Sequence, residues 1–163
     1  MNNKEFIENF FKGRAVSRPP FIPLVGTYIT KVDQVSQKQL YSDPGVLTSA
    51  ISNTKELLGY DPLITPIDTT VEAEALGATV EWNDRELPSI SKRMKIDYPI
   101  NPEAIQDSGR IGIILEAVER LEKINGREKA IIVTLTGPLT VLQQLYEEED
   151  LQALEFYMIE KKL

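Results

Sequence analysis

The sequence predicts an α/β fold built on parallel strands, and three observations carry that prediction. Residues 21–25, 63–67 and 130–135 form short apolar runs without alternation, the pattern of strands covered on both faces. The segments between them place apolar residues at helical spacing. Each crossover is long enough to return the chain to the same end of a sheet, as parallel pairing demands. Such crossovers are expected to be right-handed.

Residues 3–12 open the chain as a helix, because Phe6, Ile7, Phe10 and Phe11 share one face. Gly13 ends it where a left-handed residue is wanted. Arg18-Pro19-Pro20 then breaks regular structure before the first strand at 21–25. Pro23 removes a ladder donor, so this strand is expected to be irregular or to lack one neighbour. Ser36 and Gln39 form a capping-box pair with Val35 in the staple position, which predicts a short helix over 37–41. Ser42-Asp43-Pro44 opens a longer helix carrying Val46, Leu47, Ala50, Ile51, Leu57 and Leu58, and Gly59 stops it.

The second strand, 63–67, precedes Asp68 and one or two helical turns over 71–76, closed by Gly77. Residues 79–82 alternate and form a strand outside the main sheet, and 83–100 read as a long polar excursion. Residues 102–107 form a short helix. A longer one follows with Ile111, Ile114, Leu115, Val118 and Leu121, ended by Asn125-Gly126. After the third strand, Thr136-Gly137-Pro138 turns into a helix bearing Leu139, Leu142, Leu145 and Tyr146. Asp150 then caps a final helix with Leu151, Leu154, Tyr157 and Met158. The acidic run 147–150 reads as a solvated helix start favoured by the dipole.

Composition narrows the chemistry. The chain has 163 residues, 42% hydrophobic and 26% charged, an ordinary globular balance that argues against disorder. A net charge of −7 lacks the cationic footprint that phosphate backbones need, so nucleic acid is not an expected partner. There is no cysteine and no histidine. Disulfides, thiolate nucleophiles, imidazole acid–base catalysis and the usual zinc ligand sets are thereby excluded within the chain. No apolar run approaches the ~20 residues that span a bilayer. The first residues lack a signal-peptide apolar core, so no membrane partner and a cytoplasmic location are expected.

Strands this widely spaced suit a decorated (β/α)₈ barrel better than a compact flavodoxin-like sheet. A full barrel of eight units needs about 250 residues, and this chain supplies about three units. The residues alone leave two architectures open, a small three-layer sheet or part of a barrel.

Three stretches resemble the uroporphyrinogen decarboxylase superfamily, and especially its corrinoid-dependent methyltransferase branch. The first runs from Gly13-Arg14 through Arg18-Pro19-Pro20-Phe21-Ile22-Pro23. The second runs from Gly59-Tyr60-Asp61 through Ile67-Asp68 to Glu72-Ala73-Glu74-Ala75-Leu76-Gly77, with Ala78 and Val80 after it. The third is Thr136-Gly137-Pro138-Leu139-Thr140 after an apolar strand, and the Ser42-Asp43-Pro44 helix start fits between them. The resemblance implies that residues 1–163 are the N-terminal portion of a (β/α)₈ TIM barrel. It implies a methyl transfer between a small-molecule methyl donor or acceptor and a separate corrinoid protein. The zinc of that branch is held by His and Cys residues of the C-terminal half, so zinc and a protein-bound corrinoid are implied only for a complete enzyme.

Asp68 is the candidate catalytic residue. It follows the second strand, at the strand end where barrel active sites lie, and its offset to Gly77 equals the family's between active-site aspartate and glycine. It serves equally as a cap for the turn after it. Glu72, four residues on, would meet Asp68 across a helical turn, and Glu72 and Glu74 are candidate substrate-binding carboxylates or a solvated helix face. Tyr28, Thr136, Gly137 and Pro138 are further candidates for lining the substrate site, with packing and turn chemistry as their structural roles.

Two departures rank the activities within the resemblance. The decarboxylase grips a polycarboxylate with an arginine motif after its opening strand, whereas residues 21–30 hold no arginine and Thr27 stands in its place. Gln144 stands where that enzyme carries an active-site tyrosine. Methyl transfer is therefore expected ahead of porphyrinogen decarboxylation, a lyase reaction, with a non-catalytic binding or scaffold half-barrel as the reading of another class. Alone, the chain is expected to be inactive, to self-associate or retain a missing C-terminal half, and to hold no stoichiometric zinc.

Overall fold

The computed structural model describes residues 1–83, 86–94, 102–125 and 128–152. In chain order the elements are α1 (Asn3–Phe11), α2 (Tyr28–Asp33), α3 (Gln37–Leu40), α4 (Pro44–Leu58), β1 (Leu63–Ile64), α5 (Val71–Ala75), β2 (Thr79–Glu81) and β3 (Ser89–Lys92). A 3₁₀ turn (Pro102–Asp107), α6 (Ile111–Asn125), β4 (Ile131–Ile132) and α7 (Pro138–Leu145) follow. Two compact units divide the chain. The first gathers Met1–Ile67, Asn83–Leu87 and Gly112–Thr134; the second gathers Asp68–Trp82, Pro88–Ile111 and the chain from Leu135 on.

In the first unit, β1 and β4 pair in parallel, Leu63 with Ile131 and Ile64 with Ile132, as the unbroken apolar runs require. The ladder is shorter than 63–67 and 130–135 predict, because Ile67, the next amide in phase with Leu63 and Thr65, donates to Val25 instead of to β4. Leu63 and Thr65 donate to the carbonyls of Ala130 and Ile132 at 2.8 and 3.0 Å. Past Thr65 threonine side chains take over the contact with β4. The Thr134 amide donates to Thr65 Oγ1 at 2.9 Å, and Thr134 Oγ1 donates to the Pro66 carbonyl at 3.2 Å.

Residues 21–25 form no ladder strand, which corrects the expectation from the sequence. The segment still runs beside β1, because Asp61 and Ile67 donate to the carbonyls of Phe21 and Val25, both at 2.9 Å. Backbone groups alternate sides along a strand, so the neighbours of Leu63 and Thr65 would face this segment. Two of them are Pro62 and Pro66, and Pro23 stands opposite. Too few donors remain for regular pairing.

Helix ends follow the local chemistry of the chain. Asn2 and Glu5 form a capping box on α1, and Ser36 and Gln39 form another on α3. Asp43 Oδ1 accepts from Gly45 and Val46, with Pro44 at the first position of α4. Gly59 ends α4 at φ +66°. The core side of α4 buries Leu47, Ala50 and Ile51 completely, each large side chain contributing about 1.5–3 kcal/mol. The α2 helix, whose β-branched Ile29, Thr30 and Val32 disfavour helix in the sequence, packs on α4.

The motifs carrying the resemblance meet in this unit through one ion pair. Arg18 Nη2 and Nη1 donate to Asp61 Oδ1 and Oδ2 at 2.5 and 2.8 Å, and the Phe21 amide adds a bond of 2.6 Å. Tyr60, next to Asp61 in the chain, is buried, which pushes its hydroxyl up to about 12. The Arg18 hydrogen bond holds the Asp61 carboxyl below its ordinary value of 3.8, against the opposing effect of burial, with the Phe21 amide acting in the same direction as Arg18. A depressed carboxyl stabilises the fold above its unfolded pKa and loses that contribution as pH falls through the folded value. Urea midpoints of the protein are thus expected to drop below about pH 4. Asp61→Asn should remove part of that drop. An unchanged acid limb in the variant would show that the pair is not the cause.

In the second unit, β2 and β3 form an antiparallel hairpin. The strand at 79–82 thus lies outside the parallel sheet as expected, while β3 falls in a stretch read as excursion, its Ser-Ile-Ser-Lys pattern carrying one apolar residue. Ala73, Ala78, Met94, Leu145 and Tyr146 form this unit's core. The last described helix opens at 148 rather than at Asp150. Leu151 donates to the Glu147 carbonyl at 3.1 Å, so the acidic residues occupy the first turn, where the dipole favours them. Gly126, Leu154, Tyr157 and Met158 lie outside the described residues. Among the described residues no helix is long and apolar enough to cross a membrane.

Candidate functional site

Asp68 starts a turn in the second unit. Its Oδ1 accepts from the Thr70 amide at 2.8 Å and from Thr70 Oγ1 at 2.7 Å, a local closure that an Asp two residues ahead of a hydroxyl residue favours. The helix cap that the sequence allowed is not formed: α5 takes Thr70 as its N-cap without a side-chain cap bond, and Asp68 closes a buried turn ahead of it. Its Oδ2 accepts from Arg110 Nη1. The Asp68 side chain is 1% exposed and that of Arg110 5%, so this is a buried ion pair.

Arg110 extends the network. Its Nη2 donates to Thr70 Oγ1 at 2.7 Å and its Nε to Glu74 Oε2 at 2.6 Å. The guanidinium carbon lies 4.8 Å from the ring centroid of Trp82, just past β2. A planar fork with donors on three nitrogens serves two carboxylates and a hydroxyl while presenting its face to an aromatic ring, which a lysine cannot do. Gly109 permits the approach. At φ +56° its missing Cβ would stand 3.2 Å from Glu74 Oε2 and 3.3 Å from the Ala75 amide nitrogen.

Glu72 and Glu74 both lie in the first turn of α5, two residues apart, and so face different ways. Glu72 accepts from the Thr136 amide at 2.9 Å and from Thr136 Oγ1 at 2.6 Å. The expected meeting of Asp68 and Glu72 does not occur. Glu74 is the residue that shares a partner with Asp68, because a five-residue helix starting at Val71 turns Glu72 toward Thr136. Thr69 Oγ1 accepts from Gln144 Nε2 on α7 at 3.0 Å. Gln144 Oε1 is buried, with no hydrogen-bond partner among the described residues.

Of the residues singled out from sequence, Asp68, Glu72, Glu74 and Thr136 thus belong to one hydrogen-bonded region of the second unit. Gly137 and Pro138 are exposed and open α7. Tyr28 begins α2 in the first unit, 49% exposed. Arg110, Thr70 and Trp82 were missed. A signal for Arg110 existed: it is a cation at the start of an apolar-faced helix, where the dipole disfavours positive charge unless a specific partner waits. The region can orient a ligand through carboxylate oxygens. It does not fit zinc, because no Cys or His exists in the chain and the carboxylates are turned to Arg110 and Thr136. Among the described residues no three acidic side chains converge on a point that could hold a metal.

A model of the uroporphyrinogen decarboxylase (URO-D) family matches residues 2–161. The chain is 25% identical over 152 residues to methylcobamide:CoM methyltransferase MtbA of Methanosarcina acetivorans, covering 87% of this chain and 44% of that protein. It is 26% identical over 133 residues to a methylated-thiol–coenzyme M methyltransferase of Methanosarcina mazei, covering 79% of this chain and 36% of the relative. A methyltransferase structure from Methanosarcina mazei superposes with a TM-score of 0.81 at 21% identity, over 99% of this chain and 49% of that one. The α/β fold is therefore that of about half of this methyltransferase, and the chain spans less than half the length of the curated relatives it matches.

Proposed function

The chain belongs to the uroporphyrinogen decarboxylase (URO-D) family, and from that premise we propose that it is the N-terminal portion, about three βα units, of a corrinoid-dependent methyltransferase barrel. The reaction would move a methyl group between a protein-bound corrinoid and a small methylated compound or thiol. What carries this reading is that the relatives matched over most of the chain bear methyltransferase names, two of them naming coenzyme M as the partner of the reaction. The absence of arginine from residues 21–30 supports it against porphyrinogen decarboxylation, since a polyanion would be desolvated there without ionic return.

In this reading the second unit supplies substrate orientation. Asp68, Glu72 and Glu74 set local charge and hydrogen-bond direction, and Thr136-Gly137-Pro138 shapes the turn where exposed backbone admits a ligand. No metal-dependent step is assigned to these residues. The donors Arg110 and Thr136 already engage the three carboxylates, which suits fixed orientation better than proton transfer. The same engagement favours a second reading, a non-catalytic half-barrel.

The test is an assay of the protein with methylcobamide and a thiol, alone and with a complementary C-terminal half supplied as a separate polypeptide. Corrinoid absorbance would follow demethylation. Turnover is expected with the complementary half, and Asp68→Asn should lower kcat/KM roughly 10- to 100-fold through misorientation. Turnover of uroporphyrinogen instead would overturn the ranking, and no turnover of either would favour the non-catalytic reading.

A further inference from the structure

The network is graded in exposure, and the gradient assigns different roles to its two carboxylates. The Asp68 side chain is 1% exposed, that of Arg110 5% and that of Glu74 24%. Asp68 spends both oxygens internally, Oδ1 on Thr70 and Oδ2 on Arg110. Glu74 commits one oxygen, Oε2, to Arg110 Nε, and no partner holds its Oε1 among the described residues. A carboxylate has about four acceptor positions, so Glu74 keeps several open on its solvent side.

We propose that Asp68 is a positioning residue acting through Arg110, and that Glu74 Oε1 is the acceptor that meets the ligand. The proposal rests on the methyltransferase reading for the reaction it serves, but the relay itself is a property of this chain. The geometry supplies a closed ring. Arg110 Nη1 donates to Asp68 Oδ2, Nη2 donates to Thr70 Oγ1, and Thr70 Oγ1 donates to Asp68 Oδ1. With Trp82 against its face, the guanidinium cannot rotate without breaking the ring. Its third donor, Nε, therefore leaves in a fixed direction and holds Glu74 Oε2. Orientation is passed from a sealed carboxylate to an open one, and Gly109 keeps Arg110 close enough to α5 for the last bond. The ligand group suited to Glu74 Oε1 is a hydrogen-bond donor, a hydroxyl, thiol, amide or ammonium, because a carboxylate only accepts.

Two measurements on the 163-residue protein decide this. The first is coupling of carboxyls to glycine ethyl ester by carbodiimide, read by peptide mass spectrometry. Glu74 should react roughly tenfold or more faster than Asp68, which reacts only through local opening. Equal rates would overturn the assignment of Glu74 as the open acceptor. The second is the side-chain rotamer order of Glu74 from NMR three-bond couplings in the parent, Asp68→Asn and Thr70→Val. A single rotamer in the parent should become averaged in both variants, while Glu72, held by Thr136, stays unchanged. A merely structural role for Asp68 would lower the melting temperature and leave Glu74 ordered; that outcome in either folded variant overturns the relay. Failure of the methyl-transfer assay with the relay intact would fault the proposed function alone.

Discussion

Arg110→Met is expected to destabilise the protein by about 3–5 kcal/mol, the cost of leaving a buried partner charge without its counterion. Asp68 has almost no access to water, with its side chain 1% exposed, so solvent cannot replace the lost donor. Glu74 and Thr70 lose a partner at the same time. By contrast, Arg120→Met removes a pair between side chains 45% and 52% exposed, and is expected to cost below ~1 kcal/mol. Urea unfolding, followed by the fluorescence of the single tryptophan, Trp82, would compare the two. Combining Arg110→Met with Asp68→Leu should recover part of the loss, since removing both charges leaves less unpaired than removing one. Equal costs for the two arginine variants would mean that water reaches Asp68 and that the pair is not sealed.

The contrast between those arginines also marks the limit of reading the sequence. Periodicity placed α1, α4, α6 and α7, and capping chemistry placed the starts of α3 and α4, because these signals are local. The apolar runs at 63–67 and 130–135 identified the strands that pair, but not how short the pairing is. That length depends on which neighbour each backbone amide finds, Ile67 turning to Val25 rather than to β4, which is a matter of register. Asp68 was legible because it follows an apolar strand and precedes a turn. Its partner was not, since 42 residues separate Asp68 from Arg110 in the chain. Nothing in the residues around Arg110 says which carboxylate it will find. Glu72 and Glu74 were legible as a pair and not as two groups with different partners, because a turn of helix decides which way each points. Thr69 and Gln144 meet only through folding, from positions 75 apart.

The second large effect concerns the state of association. β4 pairs with β1 on one side only, through the backbone groups of Ala130 and Ile132. Alternation turns the N–H and C=O groups of Ile131 and Val133 to the other side, where they find no backbone partner among the described residues. Beside that edge lies a groove of about 490 Å³, lined by Ile7, Phe11, Val118, Ile131 and Ile132 together with charged side chains of α1 and α6. Phe11 is 66% exposed and Val133 41%, so apolar surface adjoins the open backbone groups. An edge of this kind is a template for another strand. The purified protein is therefore expected to self-associate in a concentration-dependent way, measured by light scattering. Val133→Lys would place an ammonium on that edge without touching the bonds to β1, and burying it unpaired costs more than ~1.4 kcal/mol. The association constant should then fall at least about tenfold. If the proposed half-barrel reading holds, an added polypeptide carrying the complementary half should dissolve the self-association by taking the same edge, and Val133→Lys should weaken that pairing as well. Association unchanged by the lysine would place the contact elsewhere on the molecule, and a monomer at every concentration would show that this edge attracts no partner.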